Sequence, residues 1–285
     1  MRPPLPAGLL DAPFSEADAE AFRAAADTPE AMAAFVDFTF ARLLTRDHRS
    51  VFWGDRLLSL DKSAGFLEEP SFRAAYAAIR GAHQYDQYDS PFTIAWRLHT
   101  LVWAARAGLA LPQGDFVECG TFQGDMAWMI HQTTDFARSG RRFFLFDSFD
   151  GFDPRNTSDA DFPDLTGYVA FANQYYQRPD LYESVVRRFA PHPEVVVTKG
   201  FLPEALEGVA PARIAFLHID LNAAAPEIAC LDALFDRVVP GGAVVFDDYG
   251  WLVFRRQKDA EDAWMAARGY AILELPTGQG LVIKR

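Results

Sequence analysis

From about residue 115 to the end of the chain, short apolar runs alternate with longer stretches whose apolar residues recur every three or four positions. The runs are Phe116-Val117-Glu118-Cys119, Arg142-Phe143-Phe144-Leu145-Phe146, Glu194-Val195-Val196-Val197-Thr198, Ile214 onward to Ile219, and Ala243-Val244-Val245-Phe246. Runs this short and this rich in branched and aromatic residues predict strands buried on both faces. The helical patterns between them, near residues 126–130, 181–190, 226–238 and 258–268, turn the series into successive βαβ units. The expected fold class is therefore α/β, a doubly wound Rossmann-like sheet. Two last runs, at residues 271–275 and 281–283, are separated by Pro276-Thr277-Gly278-Gln279-Gly280. So tight a connection predicts a hairpin, which makes the final strand antiparallel.

The N-terminal third reads differently. A proline-rich arm reaches to about residue 14, and Ser15-Glu16-Ala17-Asp18 then has the form of a capped helix start. Met32, Val36, Phe40 and Leu43 fall on one stripe of a second helix over residues 28–44, and residues 70–80 predict a third. No strand signal is evident here, so residues 1–89 read as a helical extension and 90–285 as the α/β domain. The linker between them carries His83, Tyr85 and Tyr88, candidates for a lid or simply a solvated connection. Ser90-Pro91 predicts the start of a helix over residues 92–108. Residues 153–179 form a long polar and aromatic insertion, with Asp161, Tyr168, Asn173, Tyr175 and Tyr176, at the end of the sheet where such loops carry function.

Charge narrows the range of partners. A formal net charge of -12 and a pI near 4.9 oppose binding to nucleic acid or an anionic membrane and leave a small or neutral acceptor. Two cysteines, Cys119 and Cys230, offer neither a disulfide framework nor a paired metal motif, which suits a reducing cytoplasm. The first residues lack the apolar core of a leader peptide, and no run reaches membrane-spanning length. The expectation is a cytoplasmic protein.

The first strand breaks into Gly120-Thr121-Phe122-Gln123-Gly124-Asp125 and restarts as a helix. Gly120 and Gly124 lack the GxGxxG spacing of the dinucleotide fingerprint, so the turn is either a cofactor approach or only a tight strand-to-helix connection. Asp147, which ends the second strand, lies 27 positions after Gly120, where doubly wound domains place a carboxylate for ribose hydroxyls. Asp220, Asp247 and Asp248 close two strands expected to be neighbours. Three carboxylates in one small volume repel unless one is protonated or a cation joins them, and all-oxygen ligands favour Mg²⁺ or a similar hard ion. His218 precedes Asp220 by two and shares its face, either as a base or as a core histidine.

Together these motifs resemble the macrocin O-methyltransferase family of class I S-adenosylmethionine (SAM) enzymes. The resemblance rests on Phe116-Val117-Glu118-Cys119-Gly120 with Gly124, Asp147-Ser148-Phe149-Asp150-Gly151, Lys199-Gly200-Phe201, Asp220, and Gly241-Gly242 leading to Asp247-Asp248-Tyr249. It covers residues 90–285 and implies a seven-stranded sheet with the last strand antiparallel, a small-molecule or sugar hydroxyl as acceptor, and a homo-oligomer. It also implies that Glu118, Gly120 and Gly124 line the amino-acid and sugar region of SAM, with Cys119 and Phe149 in the same binding motifs. Asp147 would take the ribose, and Ser148, Gly200 and Phe201 would lie near the adenosine. Asp220, Asp247 and Asp248 would hold magnesium, with Asp248 also close to the chemistry. The sequence departs from the family where a second aspartate usually serves as general base, because Asn222 stands there. An amide cannot take up a proton at physiological pH. Either a metal alone acidifies the hydroxyl, or His218 serves, or the acceptor is an amine or an acidic hydroxyl, as in an N-methyltransferase. A SAM-fold subunit without turnover is the non-enzymatic alternative, and absence of GxGxxG disfavours a nucleotide-sugar oxidoreductase.

Overall fold

A hairpin, not a helix, opens the part of the chain that the computed structural model describes, residues 50–82 and 93–285. The helix starts expected at Ser15 and over residues 28–44, the linker residues His83, Tyr85 and Tyr88, and Ser90-Pro91 lie outside those residues. Strands β1 (Val51–Gly54) and β2 (Leu57–Leu60) pair antiparallel. Asp55 and Arg56 turn the chain between them, with φ of 50° and 59°, the left-handed pair that two-residue hairpins use. This corrects the expectation of an N-terminal segment without strands. Asp-Arg lacks the glycine that marks such turns, and Leu57-Leu58 breaks the alternation that marks a half-buried strand.

Helix α1 (Pro70–Ala82) and helix α2 (Ala95–Leu109) follow. Phe52 of the hairpin packs with Phe66, Phe72, Ile79, Leu98 and Met129 in one apolar cluster. The hairpin and α1 are thereby seated on the α/β domain through α2 and the helix after the first parallel strand.

That domain runs β3 (Asp115–Cys119), α3 (Asp125–Thr133), β4 (Phe143–Asp147), α4 (Tyr168–Tyr176), α5 (Leu181–Phe189), β5 (Val195–Lys199), β6 (Ile214–Ile219), α6 (Ala224–Leu234), β7 (Val238–Phe246), α7 (Arg255–Ala266), β8 (Leu273–Glu274) and β9 (Gly280–Ile283). The seven-stranded sheet has the order β5-β4-β3-β6-β7-β9-β8, and β9 alone runs against the parallel strands, pairing antiparallel with both β7 and β8. The predicted α/β class and antiparallel last strand hold. Alternate residues of each strand enter two cores. Val117, Phe144, Leu217 and Val244 face α6 and α7, whereas Phe116, Leu145, Phe216 and Val245 face α2, α3 and α5. Strands buried on both faces therefore read as unbroken apolar runs.

Helix α4 was not expected inside the 153–179 insertion. Its sequence Tyr168-Val169-Ala170-Phe171-Ala172-Asn173-Gln174-Tyr175-Tyr176 has weak helix formers and no cap signal. Tertiary packing overrides that preference, since Tyr168, Val169, Ala172 and Tyr176 join Phe152, Phe162, Phe254 and Trp251 in a separate cluster. Among the described residues no helix is long and apolar enough to cross a membrane.

Candidate active site

The chain leaves β3 to build β4 and β5 on one side, then returns to lay β6 on the other, so β3 and β6 flank a topological switch point. Open α/β sheets bind ligands outside the carboxyl ends of strands at such a point. A cavity of about 740 Å³ opens there, within the range of small-molecule sites.

Its cofactor-like end is made by the β3 and β4 turns. Gly120 has φ of 90°, and a Cβ there would lie 1.8 Å from the Asp220 carbonyl oxygen. Gly124 has φ of 79°, and its Cβ would press on the Phe189 ring at 2.9 Å. Both glycines are thus demanded by the protein itself, and of the two only Gly120 lines the cavity. Asp147 points into the loop: its Oδ2 accepts the amides of Thr121 (2.8 Å) and Phe122 (2.7 Å), and Oδ1 accepts that of Phe149 (2.6 Å). Burial raises its pKa against the pull of these amides. Asp147 therefore clamps Phe122 and Phe149, both at positive φ, and is itself one of the residues lining the cavity. Ser148 and Phe201 line it too.

The other predicted cofactor residues sit behind this wall. The Gly200 amide donates to the Asp147 carbonyl (2.8 Å), and Phe149 is buried against Tyr182. Cys119 is fully buried in the core with Cys230, so its thiol does not reach the cavity. Glu118 is fully buried, with Oε2 3.1 Å from His218 Nδ1 and Oε1 without a hydrogen-bond partner.

At the other end Asp220, Asp247 and Asp248 converge, each offering an oxygen within 4.8 Å of the others. The register explains this, because Ile219 of β6 pairs with Phe246 of β7 and the acids follow directly. Burial and the repulsion of Asp247 and Asp248 raise the Asp220 pKa well above the carboxylate range. Asp248 is pushed up to about 6, mainly by burial. Burial also opposes ionisation of Asp247, but Arg97, His218 and Gln279 hold it below the ordinary value. Gln279 Nε2 donates to its Oδ1 at 2.8 Å.

Sequence reasoning missed Arg97. From α2 its guanidinium donates to Asp247 Oδ2 (2.6 Å) and Asp248 Oδ1 (2.8 Å) through Nη1, and to Asp55 Oδ2 (2.5 Å) through Nε. One cation thus ties the hairpin turn to the acid cluster. A signal existed: Arg97 shares the buried stripe of α2 with Leu101, Ala104, Ala105 and Gly108. An arginine on an apolar stripe requires buried partners.

His218 is fully buried between two acids, with Nε2 3.7 Å from Asp247 Oδ1, beyond hydrogen-bonding range. Burial works against its charge, yet Asp247 and Glu118 push its pKa to about 10. Asn222, at φ of 58°, lines the cavity, and its Nδ2 donates to Asp220 Oδ1 (3.2 Å).

Behind this loop Glu227 Oε1 accepts the amides of both Leu221 and Asn222 at 3.1 Å. It is buried beside Glu261, whose two oxygens have no hydrogen-bond partner. Burial raises the Glu261 pKa to about 7. An acid whose pKa is higher in the folded chain destabilises it as pH climbs from the unfolded value near 4.5, because the unfolded chain ionises first. The loss is complete above about 7. Glu261→Gln is therefore expected to stabilise the protein at pH 8 by roughly 2 kcal/mol, with the gain vanishing near pH 4. Urea titrations at the two pH values check this, and an equal effect at both refutes it.

NovP, an O-methyltransferase, superposes with a TM-score of 0.60 at 20% identity, covering 78% of this chain and 99% of NovP. The calicheamicin methyltransferase CalS11 gives 0.49 at 18% identity, covering 78% and 93%. The S-adenosylhomocysteine-bound methyltransferase PaMTH1 of Podospora anserina gives 0.45 at 12%, covering 96% and 98%. Among curated proteins none matches the sequence. Residues 101–269 match the macrocin-O-methyltransferase (TylF) family, more than half of the 285 residues. The chain belongs to that family and is a SAM-dependent O-methyltransferase.

Proposed function

We propose that this enzyme methylates a hydroxyl of a sugar or other small natural product, with a hard divalent ion, Mg²⁺ by preference, at Asp220, Asp247 and Asp248. The observation that carries the reading is the convergence of these acids, beside Asn222, in the same cavity that Gly120 and Asp147 line. The donor set fits such an ion: it is all oxygen, and three carboxylates offer oxygens within 4.8 Å of one another. The β3–β4 end fits SAM. Asp147, the residue that would take the ribose, lines the cavity together with Gly120, Ser148 and Phe201.

The metal, when bound, would lower the pKa of the acceptor hydroxyl. The protein's own work is alignment. Direct displacement needs the acceptor oxygen, methyl carbon and sulfur in line, and the sulfonium then leaves as a thioether. Trp53, Tyr168, Tyr176 and Trp251 line the same cavity as the acids. Asn222 orients Asp220 and takes no proton. His218, already protonated between Glu118 and Asp247, supports the cluster as a buried positive charge.

Arg97 motivates a second reading in which the guanidinium is the resident cation and no metal is needed. Asp248, with 14% of its side chain exposed against 2% for Asp247, would then accept the hydroxyl proton. Calorimetric titration with S-adenosylhomocysteine, with and without Mg²⁺, separates the two. The metal reading expects cofactor binding plus a distinct Mg²⁺ heat that Asp220→Asn removes. Cofactor binding and turnover unaffected by Mg²⁺ or by a chelator would select the Arg97 reading.

A further inference from the structure

At the opposite end of the sheet from the cavity, His131, His192 and Glu194 point three donor atoms at one another. His131 lies in the last turn of α3, and His192 and Glu194 lie on the approach to β5. His131 Nε2 is 2.6 Å from Glu194 Oε1, and His192 Nδ1 is 3.8 Å from the same oxygen, too far for a hydrogen bond. The imidazole rings are 4.3 Å apart and tilted by 58°. The donor atoms all lie within 4.8 Å of one another. None of the three residues lines the cavity.

We propose that these residues form a binding site for a zinc-class divalent cation, distinct from the acid cluster. Two imidazole nitrogens and one carboxylate oxygen are the ligand types zinc prefers, and they do not suit Mg²⁺. In a tetrahedral zinc site, bond lengths near 2.1 Å put neighbouring ligand atoms about 3.4 Å apart. The observed separations bracket that value, so side-chain rotations of about an ångström close the site.

The surroundings suit the role. The His131 ring is 3% exposed, whereas His192 and Glu194 retain 22% and 16%, which leaves a solvent-facing fourth position for water. Burial, and then the neighbouring His131, lower the His192 pKa, against the pull of Glu194. The Gln132 side-chain amide lies 3.1 Å from His131 Nδ1. With Nε2 on the metal and the proton on Nδ1, Gln132 turned by half a rotation presents its oxygen to that proton. Such an outer partner fixes the tautomer of a ligating histidine. Trp128, Phe136 and Phe189 complete an apolar surround. A bound ion would clamp the end of α3 to the start of β5, and α3 begins at the Gly124 turn. The site is therefore structural.

The test uses the full-length protein, stripped with a chelator and titrated with CoCl₂ and then ZnCl₂. The expected result is the intense visible absorption of four-coordinate Co²⁺, saturating at one equivalent and displaced by Zn²⁺, with a rise in melting temperature. His192→Ala and Glu194→Gln, both at partly exposed positions, abolish the spectrum, whereas Asp220→Asn leaves it intact. Gln132→Ala weakens Zn²⁺ binding by roughly 10- to 100-fold. No stoichiometric Co²⁺ or Zn²⁺ binding by the wild type would overturn the proposal. Binding that survives His192→Ala, or that disappears in Asp220→Asn, would overturn it equally.

Discussion

Arg97→Met is expected to destabilise the enzyme by about 3 to 5 kcal/mol, measured as a shift in its urea unfolding midpoint. The guanidinium is the shared partner of Asp55, Asp247 and Asp248, and the Asp247 side chain is 2% exposed. Methionine fills the stem's volume but leaves those carboxylates without their shared cation, Asp247 nearly fully buried. Arg97→Lys keeps the charge but loses the fork, since one ammonium cannot match the donation to Asp55 through Nε and to the other two acids through Nη1. It should lie between wild type and Arg97→Met. Mg²⁺ should restore part of the lost stability in Arg97→Met and bind it more tightly than wild type, because the guanidinium no longer occupies Asp247 and Asp248. A midpoint within error of wild type would show that this pairing does not hold the hairpin to the domain.

Asp220→Asn should lower turnover by about 100-fold or more while leaving S-adenosylhomocysteine affinity within a factor of a few. Asp220 faces Asn222 and the other two acids, and its carboxylate makes no contact with the Asp147 clamp at the cofactor end. The substitution removes charge without changing shape, so cofactor affinity serves as the internal control for folding. The comparison is single-turnover kinetics beside calorimetry on the same preparation. Undiminished turnover would exclude any part for Asp220 in metal binding or in the chemistry, and a parallel collapse of cofactor binding would mark it as structural.

Much of this arrangement could be read from local pattern. Strand runs separated by helical stripes predicted the α/β sheet, and the Pro276–Gly280 connection predicted β9 antiparallel to β8. Asp220, Asp247 and Asp248 were placed together because parallel neighbours end together. What local pattern missed were features that depend on distant residues. The β1–β2 hairpin uses left-handed Asp55 and Arg56, which no glycine announces. Helix α4 forms from poor helix formers because Phe152, Phe162 and Phe254 bury one face of it. Cys119 sits in the cofactor motif, yet strand alternation turns its side chain into the core beside Cys230.

By itself the sequence determined the class of fold, the succession of strands along the chain and the acids at their ends, since periodicity and strand termini are local properties of the chain. Tertiary structure alone decided how those acids are neutralised. Arg97 reaches partners 42, 150 and 151 residues away, and, against burial, Asp247 together with Glu118, 100 residues distant from His218, raises the pKa of that histidine. Electrostatics in a buried site depends on separation in space and on exclusion of water, and neither is written in the separation along the chain.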